Sequence, residues 1–378
     1  MQNNIRVSVL HIFLILLCMT CRSQSFEQLS RSLNKLTLNS DAPGVAVQVA
    51  KNGRPIYTYF FGLADLERGS CIDKNTRFRM ASVSKQVTAR AILHLIDDGQ
   101  LHMQSLLGDH LDGLPANLAS IQIGQLLNHT SGVLDYEHVI PADQSRQLTD
   151  EDILNLMRQH GQVYFPPGSR FRYSNTGYCL LALVVAKISK QSFDDYIKEH
   201  LFLPRRIEHA LVARPGSNIL DRAYGYHPSA TSFIFADQST TSATQGDGGV
   251  YFSCTDFLLW CEHLLQQDWQ NPSFQEAFFG NRVPVNDAAH YQLGLFSITD
   301  TNGHVHLFHS GESTGFNHIV YMNVHEHLTV NVFSNRDDPF VSDIFDLVME
   351  SLHTKELFDQ HFGQSMFTWL NNVYQNIY

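Results

Sequence analysis

The sequence predicts an α+β fold, in which an antiparallel sheet flanked by helices carries a mostly helical inserted domain. Two observations predict it. Strand patterns with hairpin turns sit at both ends of the chain, and the stretch between them is helical and turn-rich. Strands so far apart in sequence bury their apolar faces by pairing in one sheet with helices packed on it. The resulting division is a leader over residues 1–25, a discontinuous sheet domain over 26–99 and 231–378, and a helical domain over 100–230.

Taken in order, residues 1–25 read as a secretory signal. Arg6 gives a positive start, Val7 to Leu17 is almost wholly apolar, and Cys18 to Ser25 is small and polar. An apolar run of about eleven residues falls short of the roughly twenty that a spanning helix needs. The expected product is therefore exported, periplasmic or secreted. A lipid on Cys21 is the alternative, and the only route by which a membrane would become a partner.

Phe26 to Leu38 has a helical apolar rhythm. Gly44 to Ala50 and Pro55 to Phe61 read as strands around Asn52-Gly53, a dipeptide that tolerates the positive φ angles of a two-residue hairpin turn. Ser82 to Asp98 returns to helical spacing and stops at Gly99. Strand signals come back near Gly248 to Ser253, Leu293 to Thr299, His304 to Phe308, Phe316 to Met322 and Leu328 to Phe333, and Val341 to Leu352 reads as the final helix.

Composition narrows the chemistry. The 378 residues carry 26 Lys and Arg against 37 Asp and Glu, a net charge of -11, which argues against a nucleic-acid surface. Outside the leader, Cys71, Cys179, Cys254 and Cys261 are scattered without metal-ligand spacing and read as buried small hydrophobes. His304, His306 and His309 alternate as if they could share one strand face, but nothing completes a ligand set around them, so no metal or other cofactor is expected.

Three short motifs carry chemistry. Ser82-Val83-Ser84-Lys85 opens a helix and puts a lysine on the same face as a serine three residues earlier. A serine hydroxyl is a poor nucleophile until a base takes its proton, and a lysine kept neutral can do so. Tyr173-Ser174-Asn175 follows the turn Pro166-Pro167-Gly168. Its tyrosine can relay a proton if a nearby cation pulls its pKa down, while Asn175 can hold Lys85 and a substrate amide. His309-Ser310-Gly311 ends the strand His304 to Phe308. There Gly311 would let backbone approach a ligand, and the Glu312 N–H would join that of Ser82 as an oxyanion donor. Each motif has an idle copy: Ser32-Leu33-Asn34-Lys35, Tyr321-Met322-Asn323, Tyr374-Gln375-Asn376 and His361-Phe362-Gly363.

Order and context then carry a resemblance. Phe78-Arg79-Met80-Ala81-Ser82-Val83-Ser84-Lys85 resembles the nucleophile segment of the serine beta-lactamase-related and penicillin-binding proteins. Leu126-Leu127-Asn128-His129-Thr130-Ser131-Gly132, Phe165-Pro166-Pro167-Gly168-Ser169 and Gly246-Asp247-Gly248-Gly249-Val250 are similar to stretches of the class C beta-lactamase-like branch, and the likeness runs from about Pro43 to Asn335. It implies a beta-lactamase/transpeptidase-like fold with Ser82 as nucleophile and Lys85 and Tyr173 as a coupled proton-handling pair. Asn175 would contact Lys85 and substrate, and His309 and Gly311 would line the sheet wall.

Antibiotic-destroying members usually have Lys where this chain has His309, and here that histidine is followed closely by the acid Glu312. The resemblance therefore implies an esterase or a D-amino-acid peptidase or amidase acting on a small molecule or peptide. A beta-lactamase or D-alanyl-D-alanine carboxypeptidase is the alternative, and a catalytically idle scaffold is the other.

Overall fold

The computed structural model describes residues 25–287 and 289–375. Cys21 and the expected leader, apart from Ser25, lie outside them. Among the described residues no helix is long and apolar enough to cross a membrane.

The predicted hairpin forms as β1 (Val45–Lys51) and β2 (Arg54–Phe61). Asn52 and Gly53 take φ of 51° and 68° between them, the pair of positive values that a tight turn matched to strand twist requires. The later strands are β3 (Val283–Pro284), β4 (His290–Gln292), β5 (Leu295–Thr299), β6 (Val305–Ser313), β7 (Phe316–Asn323) and β8 (Leu328–Ser334). All eight make one antiparallel sheet in the order β3-β4-β5-β6-β7-β8-β1-β2. The pair β8-β1, Val45 opposite Ser334 through Lys51 opposite Leu328, joins the N-terminal hairpin to the later strands.

The sheet is buried on both faces. Val45, Val47 and Val49 alternate onto one side. There they share a core with helix α1 (residues 25–36), a helix over Phe340–Ser351 and two further helices, Lys355–Phe362 and Met366–Tyr374. Ala46 and Phe333 point the other way, into a larger core with the helix Lys85–Asp97 and the helices of the 100–230 stretch. Val341 to Leu352 is therefore not the final helix, since Lys355–Phe362 and Met366–Tyr374 follow it.

Two expectations for the strands are corrected. Val250–Phe252 joins a small separate sheet with Phe78–Arg79 and Leu211–Val212, because its partner is the segment that leads into Ser82. Strand β6 does not end at Phe308 but runs through Ser313, pairing His309 with Val320 and Gly311 with His318.

Candidate active site

Ser82 lies in a 3-10 turn, Ala81–Ser84, immediately ahead of α2 (Lys85–Asp97). The α-helix expected to begin at Ser82 begins at Lys85. Ala81 is held at φ 47° with its side chain buried, a left-handed conformation that costs a non-glycine residue about 1 kcal/mol. The residue before the serine thus stores local strain of the kind that collects at functional sites.

The turn brings Lys85 back onto the serine. Its Nζ lies 3.0 Å from Ser82 Oγ, 2.7 Å from Asn175 Oδ1 and 3.1 Å from the Asp247 carbonyl oxygen. Lys85 is fully buried, and desolvation lowers its pKa although Asp247, Asp135 and Glu137 pull the other way. A neutral amine has two N–H donors and one lone pair. Donation to Asn175 and Asp247 leaves the lone pair for the Ser82 proton.

Asn175 opens the helix Asn175–Ser189, so its side chain is aimed by the helix start. Its Nδ2 donates to Glu137 Oε1 at 3.1 Å, and its backbone N–H to Asp135 Oδ2 at 2.7 Å. Two residues earlier the buried Tyr173 faces the same space, with Lys85 Nζ 5.0 Å from its ring centre. A proton relay at Tyr173 was expected to need a pKa lowered by a nearby cation. The structure reverses this: burial raises it well above 10, Asp247, Asp135 and Glu137 add to the rise, and the neighbouring Ser82 hydroxyl offsets only part. Tyr173 is a phenol here. Its ring is held from behind by His129, whose ring centre is 4.3 Å away and whose Nδ1 accepts from the Ser174 N–H at 3.3 Å.

The sheet wall differs from expectation in detail. Side chains alternate along β6, so Ser310 and Glu312 line the cleft with Ser82, Asp135, Glu137, His138, Tyr173, Asn175 and Tyr374 around a volume of ≈ 230 Å³. His309 is fully buried behind that wall, among Tyr291, Phe296, Tyr173 and Tyr374. Desolvation and the nearby Lys85 push its pKa down to about 3, so it is neutral. Its Nδ1 lies 2.6 Å from the Ser310 carbonyl oxygen, which assigns the proton to that nitrogen.

Gly311 makes a close approach within the protein itself. A Cβ there would stand 2.3 Å from the Met80 carbonyl oxygen, so the glycine lets β6 press against the turn that carries Ser82. Nor do the three histidines share a face. His306 packs on Phe358 on the side opposite His309, and His304 stacks on His325.

The idle serine motif stays idle, since Ser32 sits on α1 beside Leu347 and Glu350, away from the cleft. Sequence reasoning missed Asp135, Glu137 and Tyr374, and assigned no role to Asp247. The Asp247 carboxylate, the Asp150 carboxyl and the Cys179 thiol lie within 4.8 Å of one another, all buried. Asp150 also accepts from the Gln245 and Gly246 N–H groups, and burial beside Asp247 raises its pKa to about 7. This cluster fixes the loop whose Asp247 carbonyl holds Lys85.

Comparison with known proteins agrees with this geometry. The chain is 28% identical to penicillin-binding protein 4* of Bacillus subtilis over 309 residues, 77% of this chain and 68% of that one. It is 25% identical to protein flp of Staphylococcus aureus, over 79% of this chain and 61% of the relative. The chain thus spans roughly two thirds of the length of these relatives. Among solved structures, a penicillin-binding protein from Bacillus halodurans superposes with a TM-score of 0.74 at 25% identity, covering 85% of this chain and 98% of that one. A D-amino acid amidase from Ochrobactrum anthropi SV3 gives 0.72 at 20% identity, covering 87% and 99%, a likeness of fold. The profile of the family described as Beta-lactamase matches residues 26–351, and the chain belongs to that family of serine hydrolases.

Proposed function

We propose that this chain is an exported hydrolase that cleaves an ester or amide through an acyl-enzyme on Ser82. The observation that carries the reading is the buried Lys85, held by two acceptors with its remaining valence toward Ser82 Oγ. Ser82 Oγ attacks the carbonyl carbon, and its proton passes to Lys85 Nζ. The backbone N–H groups of Ser82 and Glu312 receive the oxyanion. The Tyr173 phenol gives its proton to the leaving oxygen or nitrogen as the bond breaks, and regains one from Lys85. Water then releases the acyl group by the same steps in reverse order. The apolar leader supports export.

Cleft charge supports the substrate class. Asp135, Glu137 and Glu312 border it, and His309, where relatives that destroy antibiotics usually carry Lys, is neutral. Burial raises the pKa of all three acids, and once they are ionised a carboxylate-bearing substrate meets repulsion there. Neutral esters, and amides or peptides with a free amine, suit it. The penicillin-binding relatives favour a second reading, in which the same machinery serves a D-alanyl peptide or a beta-lactam.

A fluorophosphonate probe tests the chemistry. It should label the wild type and spare Ser82→Ala, and failure to label either would leave only a binding role. Parallel assays of p-nitrophenyl esters, D-alanyl amides and a chromogenic cephalosporin separate the substrate classes. Efficient cephalosporin turnover with a low KM would favour the second reading.

A further inference from the structure

The helices after Ser351 lie outside the family match, and the last of them completes the cleft. The face of β6 that carries Phe308 is covered by Phe358 and Phe362 of the helix Lys355–Phe362 and by Trp369 of the helix Met366–Tyr374. Two residues along the same face of β6 is Ser310, roughly 6.6 Å further on. Five residues along the helix from Trp369 is Tyr374, about 7.5 Å further on. The two elements advance together, and Tyr374 arrives where the strand enters the cleft.

There its Oη lies 2.7 Å from Ser310 Oγ. Its ring meets that of Tyr173 edge-on at 4.8 Å and lies nearly parallel to His309 at 6.1 Å. Anchoring the helix does not depend on it, because Met366, Phe367, Trp369, Leu370 and Val373 are buried in the sheet core. Tyr374 itself is half-buried and borders the space in front of Ser82. It engages the one hydroxyl of the sheet wall, and it does so beside Tyr173, the group that protonates the leaving atom. Asp135, Glu137 and Asn175, joined by their own hydrogen bonds, form the other side.

We propose that Tyr374 is a specificity-determining residue that limits the size of the leaving group. The chain would therefore take esters of small alcohols, or amides of ammonia and small amines, in preference to bulky ones. This rests on the Ser82 acyl-enzyme reading and adds the direction from which the substrate is restricted.

The test uses the full chain and two ester series. One keeps an acetyl group and changes the alcohol from methanol to benzyl alcohol, and the other keeps methanol and changes the acyl group from acetyl to phenylacetyl. Tyr374→Ala should raise the benzyl-to-methyl ratio of kcat/KM at least about tenfold, the range that removal of a hydrophobic clash gives, and leave the acyl ratio within about threefold. Tyr374→Phe should keep the wild-type ratio, and Tyr374→Trp, which puts a larger ring at the wall, should lower it. Equal changes in both series, or an unmoved alcohol ratio in both the Ala and Trp variants, would overturn the proposal. Absence of fluorophosphonate labelling in the wild type would instead remove the Ser82 chemistry, and this inference with it.

Discussion

The shortest hydrogen bond of Lys85 runs to Asn175, with Nζ 2.7 Å from Oδ1. A neutral acceptor at that distance positions the amine without favouring its charged form as a carboxylate would. Asn175→Asp should therefore raise the Lys85 pKa, which desolvation lowers in the wild type. In the proposed mechanism the neutral amine takes the serine proton, so the rate should climb as pH rises through that pKa. The ascending limb of kcat/KM should move upward by about one unit or more in the variant, the usual effect of an opposite charge at contact distance. An unmoved limb would mean that Lys85 is not the base.

How much of this was legible before the structure depends on where each partner sits. Ser82 and Lys85 are local, three residues apart on one turn, and Tyr173 and Asn175 are aimed by a helix start that follows a Pro-Pro-Gly turn. The hairpin was readable because Asn52-Gly53 has few alternatives. Tyr374 reads along the chain as one of two stray Tyr-x-Asn copies, and nothing there says that its helix ends against Ser310. Gly311 was readable as a close approach, but what approaches it, the Met80 carbonyl, is a tertiary fact. The Tyr173 pKa had the wrong sign because the sequence shows the cation and hides both the burial and the three carboxylates around it.

Tyr173→Phe removes the phenol proton and little volume. The proposed mechanism uses that proton as the leaving group departs, so kcat should fall by about 10²- to 10⁴-fold, the usual worth of a positioned acid or base, with KM nearly unchanged. Steady-state kinetics on an amide shows this best, because an amine leaving group cannot depart unprotonated. A p-nitrophenyl ester, whose leaving group needs no proton, should lose less in kcat/KM, which reports acylation and excludes the water step that both substrates share. Equal losses of kcat/KM on both substrates would remove Tyr173 from proton delivery to the leaving group.

Gly311→Ala places a methyl group against the Met80 carbonyl, which cannot move without shifting the turn that carries Ser82. Overpacking of this kind costs about 1–3 kcal/mol. Chemical denaturation should report that loss together with a lowered kcat. Gly280→Ala, where nothing lies within 4 Å, is the control and should be nearly neutral. A fully active, fully stable Gly311→Ala would show that β6 does not press on the turn as described.

Glu137 offers the clearest pH test of the amine preference. Desolvation in the cleft, with Asp135 and Asp247 nearby, raises its pKa to about 7. Below that pH the carboxyl is neutral, and above it the cleft gains a negative charge. An ester bearing a permanently charged trimethylammonium group should therefore bind better as pH rises through 7, with KM falling about three- to tenfold, in line with an exposed or partly desolvated ion pair. An uncharged ester with a tert-butyl group in its place should show no such limb. The comparison cancels the rise that Lys85 imposes on turnover, because both esters share it. Glu137→Gln should hold the charged ester at its low-pH KM throughout, while keeping the hydrogen bond that Asn175 Nδ2 makes to Oε1. A KM for the cationic ester that ignores pH in the wild type, or that falls equally in Glu137→Gln, would show that this carboxylate does not read substrate charge.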